Sequence, residues 1–253
     1  MNSAKLAENN WKYIRGARFE VAVLPWGATE AHNFHLPYGT DNYQVEAIAA
    51  EAAGRANQEG ARVIVLPAIP FGVNTGQTDI PLTMNILPST QYAILCDLAE
   101  NLNRHGIRKL VILNGHGGND FRQQIRELNH RFPEMFICQS HWFKIPGNAA
   151  FFSEPGDHAD ESETSLMMFL KPELVLPLTE AGDGKSRKFR VDALNQGWSW
   201  TERKWTKVSD DTGIGNPKLA TAEKGKVFFE YLIRNYTGFF CQLSSLDLNE
   251  VYE

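Results

Sequence analysis

Four short apolar runs alternate with longer amphipathic segments along the first half of the chain. The runs are predicted to be strands and occupy residues 20–26, 62–67, 108–114 and 134–140. Their apolar character is continuous and does not alternate, so both faces of each strand should be covered. Strands and helices that alternate in this way predict an α/β fold, with a parallel sheet between two layers of helices.

The predicted helices lie between and after these runs. They span residues 42–58, 89–105, 119–131 and 219–235, with a further helix that begins near Asp160. In the last helix, Val227, Phe228, Tyr231 and Leu232 fit one buried face. Because no internal repeat or linker composition interrupts the pattern, residues 1–253 are predicted to form a single domain.

Charge and cysteine content limit the possible partners. The chain of 253 residues has a formal net charge of -5, and its densest basic run, residues 185–190, is interpreted as a solvated loop. We therefore expect no nucleic-acid partner. No apolar run is long enough to cross a bilayer, so no membrane partner is expected. Three cysteines without paired spacing, and no signal-peptide pattern, predict a cytoplasmic protein with reduced thiols.

The stretch after the first predicted strand, residues 25–41 (PWGATEAHNFHLPYGTD), is rich in side chains that can bind a metal. Ligands of parallel sheets bind beyond the C-terminal ends of the strands. Glu30 and His32 are two residues apart and should point the same way from an extended segment. Asp41 precedes a predicted helix, so it either caps that helix or bridges two cations. His35 is interpreted as a supporting residue.

Two further stretches carry histidines at predicted strand or helix ends. Residues 114–119 (NGHGGN) follow the third strand, where the glycines permit a sharp turn around His116; a plain tight turn is the alternative. Residues 157–165 (DHADESETS) open a helix. Acids in a first helical turn favour the macrodipole, which accounts for Asp160. His158 beside four acids is expected to be an imidazolium that serves in proton transfer.

The three stretches together offer histidine and carboxylate ligands and no thiolate. This mixture suits Zn, Mn or Fe, and the excess of carboxylates favours a site for two cations. Such a pair activates water and polarises a carbonyl group, which is the chemistry of metal-assisted hydrolysis. No GxSxG motif is present, so a serine hydrolase is disfavoured.

In order and spacing, residues 27–41, 114–119 and 158–165 resemble the creatininase (creatinine amidohydrolase) family signature G-x-x-E-x-H-x-x-H-L-P-x-x-T-D, N-G-H-x-x-N and H-A-x-x-x-E-T-S. Residues 215–225 are similar to its G-D-P-x-x-A-T-A-E-K-G. The resemblance covers roughly residues 15–235. It implies a three-layer α/β/α sandwich around a mainly parallel sheet and a homo-oligomer, often a hexamer.

The resemblance also implies two divalent metal ions per chain. Glu30, Asp41 and His116 would hold one ion, and His32 and Asp41 would hold the other, with Asp41 bridging. Creatininase itself supplies its last ligand two residues after the histidine of N-G-H, and this chain has a glycine there. We expect Glu161 to take that place.

Glu163 is the competitor of Glu161 for the second metal. As implied by the family pattern, His158 would be the proton shuttle, and Glu163 would otherwise support it or the bound water. The predicted function is hydrolysis of a C–N bond in a small-molecule amide, cyclic amide or formamide.

Two features depart from the family signature. One is Gly118, and the other is residues 76–83, where relatives carry a pattern similar to E-H-x-x-F-P-G-T. Creatinine is therefore expected to be a poor substrate. Cleavage of a peptide or carbocyclic C–C bond by the same metal pair is the alternative within enzymes. A non-catalytic oligomeric scaffold or ligand sensor is the alternative from another class.

Overall fold

The structure is a computed structural model that describes residues 3–154 and 156–252. Its strands are β1 (Val21–Trp26), β2 (Val63–Val65), β3 (Lys109–Asn114) and β4 (Phe136–His141). Its helices are α1 (Trp11–Ile14), α2 (Thr40–Gln58), α3 (Pro88–Arg104), α4 (Arg122–Arg131), α5 (Glu161–Leu170), α6 (Asp192–Asn195), α7 (Trp205–Val208) and α8 (Ala222–Ser245).

The four strands form one parallel sheet in the order β2-β1-β3-β4. Each strand lies within its predicted run or within one residue of it. β2 is shorter than the predicted run of residues 62–67. Leu66 still donates its N–H to the Val23 carbonyl at 2.8 Å, but Pro67 has no N–H with which to extend the ladder.

Helices cover both faces of the sheet. Val21, Val23 and Val111 point into a core that they share with α2 and α8. The alternate residues, such as Leu24 and Ile112, point into a second core shared with α3 and α4. Both cores consist of apolar side chains, so β1, β2 and β3, which lie between them, are buried along their whole length. The expectation that both faces of every strand are covered is wrong for β4, which is an edge strand and is half-buried except at Ile137. The predicted three-layer α/β/α sandwich is confirmed.

The last helix differs most from the prediction of residues 219–235. α8 begins at Ala222, because the Thr221 hydroxyl accepts the Lys224 N–H at 3.2 Å and caps it. It continues to Ser245, since Phe240 and Leu243 extend its buried stripe. The prediction for Val227 is wrong, because this side chain is 58% exposed. Among the described residues, no helix has both the length and the apolar character that a membrane span requires.

Candidate metal centre

The carboxyl ends of β1 and β3 bring two of the ligand-bearing stretches together. The strand register places Trp26 beside Asn114, so the loops that follow the two strands begin side by side. The loop after β1 carries Glu30, and the loop after β3 carries His116. His116 Nδ1 lies 2.9 Å from Glu30 Oε1 and 3.2 Å from Asp41 Oδ2.

Asp41 faces this cluster and does not cap its helix. It is the second residue of α2, and the capping position is occupied by Gly39. Its Oδ1 atom lies 3.0 Å from His32 Nε2, while Oδ2 faces His116. One carboxylate therefore turns an oxygen toward each histidine, as a bridging ligand does.

Glu163 closes the cluster from α5. Its Oε2 atom lies 3.9 Å from His32 Nε2, and it accepts the Ala159 N–H at 2.6 Å. Ligand atoms of His32, Asp41 and Glu163 lie within 4.8 Å of one another, as do those of Glu30, Asp41 and His116. A third group, Glu30, His32 and His158, meets the same distance but lacks Asp41. The two groups that share Asp41 could each hold a cation at the same time, with Asp41 between them.

Each histidine of the cluster directs one ring nitrogen away from the carboxylates, to a backbone carbonyl. His116 Nε2 contacts Val73 O at 3.1 Å, His32 Nδ1 contacts Glu30 O at 3.2 Å, and His158 Nε2 contacts Ala31 O at 2.8 Å. A carbonyl only accepts, so each of these nitrogens carries the proton. The other ring nitrogen of each histidine faces the carboxylate cluster, which is the usual arrangement of histidines that bind metals.

The residues fit a pair of divalent ions. Glu30 Oε1 and Asp41 Oδ2 are fully buried, and the polar atom that both face is His116 Nδ1, at 2.9 and 3.2 Å. Buried carboxylate oxygens of this kind are costly unless a positive charge compensates them. Nitrogen and oxygen donors without sulphur suit Zn, Mn or Fe.

Burial and charge together shift the pKa values of the cluster. Burial lowers the pKa of His32, but Asp41, Glu163 and Glu30 outweigh this effect and raise it to about 10. Burial likewise opposes, without cancelling, the carboxylates that raise the pKa of His116. Burial raises the pKa of Glu163 to about 8. The site thus favours added positive charge, from protons or from metal ions.

Glu161 lies outside the cluster, which corrects the expectation that it completes the second metal site. Its carboxylate accepts the N–H groups of Ser153 and Glu154 at 2.9 Å and forms an ion pair with Lys224. Glu161 and Glu163 are two residues apart on α5, so their side chains point to nearly opposite sides of the helix.

His158 lies at the cluster but is not held as an imidazolium. Its Nδ1 atom is 3.7 Å from Glu30 Oε1, yet burial and the charge of His32 lower its pKa to about 4. The nearby acids are directed elsewhere. Asp157 pairs with Arg203 at 2.5 Å, and Asp160 caps α5 by accepting N–H groups of its first turn.

His35 is a supporting residue that contacts α5. Its Nε2 atom lies 2.9 Å from the Thr164 hydroxyl, and burial lowers its pKa to about 4. Thr164 follows Glu163 directly, so this contact connects the loop after β1 to the helix that carries Glu163.

Gln77 is a functional candidate that the sequence analysis missed. It is 1% exposed, and its side-chain N–H donates to Glu30 Oε2. Because Glu30 Oε1 faces His116, the hydrogen bond from Gln77 fixes the orientation of that carboxylate. Gln77 lies within residues 76–83, which differ from the family pattern. This difference was the feature of the sequence that could have indicated a role for Gln77.

A side chain at Gly118 has no room. An added Cβ would lie 2.4 Å from both His116 Nε2 and Val73 O, and thus inside the hydrogen bond that orients His116. The glycine in place of the family's glutamate is therefore part of how this chain positions its histidine.

The segment of residues 202–206 covers the centre. The Trp205 ring packs against the His158 ring with centroids 4.7 Å apart. The Thr206 hydroxyl donates to Asp79 Oδ2 at 2.6 Å, which ties the segment to the loop that carries Gln77. Trp198 and Trp200, in contrast, are 75% and 85% exposed.

Comparison with known proteins agrees with the motifs. A family model for Creatininase (creatinine amidohydrolase) matches residues 7–240. A Bacteroides fragilis structure, provisionally described as a creatinine amidohydrolase, is 42% identical, covers 100% of both chains and gives a TM-score of 0.92. Creatininase structures described as Zn-Zn type and Mn share the fold, at 23% and 22% identity and a TM-score of 0.79.

Two curated relatives have different activities. The mycofactocin precursor peptide peptidase of Mycobacterium ulcerans is 27% identical over 219 residues, which is 83% of this chain and 80% of its own length. The creatinine amidohydrolase of Pseudomonas putida is 28% identical over 176 residues, or 61% of this chain and 66% of its own length. Since the family model spans nearly the whole chain and includes every ligand-bearing stretch described above, the chain belongs to the creatininase family.

Proposed function

We propose that the chain is a hydrolase with two divalent metal ions that cleaves a C–N bond in a small-molecule amide, cyclic amide or formamide. The observation that carries this proposal is the common orientation of three buried histidines. Each gives one ring nitrogen to a backbone carbonyl and turns the other toward buried carboxylates.

The ligand sets follow from the two groups of donor atoms that share Asp41, which leaves His158, a member of the third group, for proton transfer. Glu30, Asp41 and His116 would hold one ion, and His32, Asp41 and Glu163 the other. Zn, Mn or Fe suits these donors, and the zinc and manganese forms of the creatininase structures support the first two. When bound, the pair supplies Lewis acidity, which activates water and polarises the scissile carbonyl group.

His158 is the proposed proton carrier. Its Nε2–H group is held by the Ala31 carbonyl, so Nδ1 is free to exchange a proton on the side of the cluster. With a pKa of about 4 it is neutral at pH 7, so it first accepts a proton from the attacking water. It then returns that proton to the leaving nitrogen, which makes the amine a better leaving group. Trp205 packs against this ring, which is 6% exposed.

Peptide cleavage is the second candidate function. The peptidase relative aligns with more of this chain than the creatinine amidohydrolase relative does, 83% against 61%. Both activities break a C–N bond with the same kind of centre, so the distinction concerns the substrate and not the ligands.

The free-energy cost of burying the ionisable groups of the cluster disfavours a non-catalytic scaffold. Glu30 and His32 are 0% exposed, and Asp41 is 1% exposed. Buried ionisable groups destabilise a fold unless they are paired or bind a metal, and a scaffold has no need of such a cluster.

The decisive experiment combines metal analysis with an activity panel. Purified protein should contain about two transition-metal equivalents per chain. It should hydrolyse members of a panel of formamides, cyclic ureides and short peptides. Chelation should abolish turnover and metal addition should restore it. His116→Ala should lose metal, whereas His130→Ala, which changes an exposed histidine of α4, should keep it.

Two results would contradict the proposal. The first is protein that binds no metal even after metal addition. The second is activity that survives complete metal removal. Creatinine itself should be a poor substrate, because the family's glutamate is replaced by Gly118, and efficient turnover of creatinine would refute this substrate prediction alone.

A further inference from the structure

Two basic runs lie side by side in the segment of residues 183–211. The segment holds seven Lys or Arg residues against five Asp or Glu residues, in a chain whose net charge is -5. The Arg187 N–H donates to the Val208 carbonyl at 2.8 Å, and Ser186 forms an antiparallel bridge with Ser209. These backbone contacts hold residues 185–190 next to residues 203–207.

A groove of about 320 Å³ lies between the two runs. Phe189 and Val208, both half-buried, contribute its apolar lining. The cationic side chains that line it are Arg187, Lys188, Arg190, Arg203, Lys204 and Lys207. Glu202 is the one acid among the described lining residues, and its carboxylate is engaged by the Thr75 hydroxyl.

Cations outnumber carboxylates in and around the groove. Arg187 pairs with Asp210 at 2.6 Å and Arg203 pairs with Asp157 at 2.5 Å. The other four cations of the groove have no carboxylate within ion-pair distance among residues 3–154 and 156–252. Asp79 lies near two of them, Lys204 and Lys207. The hydrogen bond from Thr206 lowers the pKa of the Asp79 carboxyl group most, and the charges of these two lysines help to lower it. Like charges held close together repel one another, and a cleft focuses their field, so the groove attracts anions.

We propose that this groove binds a small polyanion, a molecule that carries phosphate groups or closely spaced carboxylates. Its volume matches a small-molecule site, and the acidic character of the chain as a whole disfavours a nucleic acid. The groove is distinct from the metal centre but close to it. Arg203 lies 5.0 Å over the Trp205 ring, and Trp205 in turn contacts His158.

The test uses inorganic pyrophosphate as the probe and the metal-loaded protein in a calorimetric titration at low and at high salt. Saturable binding that weakens with salt is expected. Lys188→Gln/Lys204→Gln should weaken it about ten-fold, the loss of two charge-assisted contacts. The matched control, Lys12→Gln/Lys226→Gln, changes two exposed lysines outside the groove and should bind as the parent does. Repeating the titration with citrate separates carboxylate from phosphate recognition, and either ligand supports the proposal.

A second arm separates the groove from the metal centre, which can itself bind phosphate. Groove binding should persist after chelation. Binding that disappears on chelation and is unchanged in Lys188→Gln/Lys204→Gln would overturn the proposal, as would the absence of saturable binding at low salt. Tighter, variant-sensitive binding of single-stranded RNA than of pyrophosphate would also overturn it, because the ligand class would then be a nucleic acid.

Discussion

Glu161 and Glu163 lie in the first turn of the same helix and face opposite sides of it. Residues two apart on an α-helix are separated by about 200° around its axis. Glu163 therefore faces His32, and Glu161 faces Lys224 of α8. The sequence narrowed the fifth ligand to these two residues, but the choice depended on which side of α5 meets α8, and that is a tertiary contact.

Glutamine at each position should separate metal binding from stability. Glu163→Gln should reduce metal content from about two equivalents to about one, because it removes the charge that faces His32. Glu161→Gln should keep both metals and lower the free energy of unfolding by about 1–2 kcal/mol, because Lys224 loses its partner. Metal analysis and denaturant unfolding of the two variants test this prediction. If Glu161→Gln lost metal and Glu163→Gln kept it, Glu161 would be the metal ligand instead of Glu163.

Gln77 contacts Glu30 and should influence metal binding through it. Removing its hydrogen bond in Gln77→Leu should weaken metal affinity by about ten-fold, since a ligating carboxylate then loses the group that orients it. Competition with a chelator of known affinity measures the change. The control is Gln124→Leu, which changes a buried glutamine elsewhere, on α4. Equal affinities in the two variants would mean that the contact to Glu30 is incidental.

At the scale of elements, the sequence predicted the sheet well because its signal is local. A strand with both faces in a core needs an unbroken apolar run, and this holds for β1, β2 and β3. The fourth run also became a strand, but β4 is at the sheet edge and only half-buried. The ends of the elements were predicted less accurately, because Pro67 ends β2 early and the buried stripe through Phe240 extends α8. The cluster of Glu30, His32 and His116 was predictable because loops after parallel strands meet at one edge.

The segment over the centre could not be predicted from the sequence. Its position rests on contacts between residues more than a hundred positions apart, such as Thr206 with Asp79. Glycine at position 76 makes one such contact possible, because a Cβ there would lie 2.1 Å from the Arg203 carbonyl oxygen. The periodicity of apolar residues along the sequence does not predict a close backbone approach of this kind.

Gly76→Val should therefore displace residues 202–206 without disturbing the ligands. Hydrogen exchange in this segment should accelerate and turnover should fall, while metal content stays at the parent level. Gly54→Ala is the matched control, since a Cβ at this helical position meets nothing. It should leave exchange in the segment unchanged and stabilise α2 by about 0.5–1 kcal/mol. Unchanged exchange in Gly76→Val would show that the segment is not held by this approach.

At the scale of the whole molecule, the metal centre joins elements that are distant in sequence. It takes side chains from the loops after β1 and β3, from α2 and from α5, and all of these pack around one sheet. That residues 1–253 form one domain, that the protein is cytoplasmic and that it assembles as a homo-oligomer stay predictions. One domain with a shared centre should unfold as one cooperative unit.

Metal binding should consequently stabilise the entire chain. A ligand that binds only the folded state adds about 4 kcal/mol at a thousand-fold excess over its Kd. Added Zn²⁺ or Mn²⁺ should raise the Tm of the metal-free protein while calorimetry still records a single transition. In His116→Ala the same addition should raise Tm much less, because one ion loses a ligand. Two separate transitions would contradict the single domain, and an equal shift in parent and His116→Ala would place the stabilising metal elsewhere.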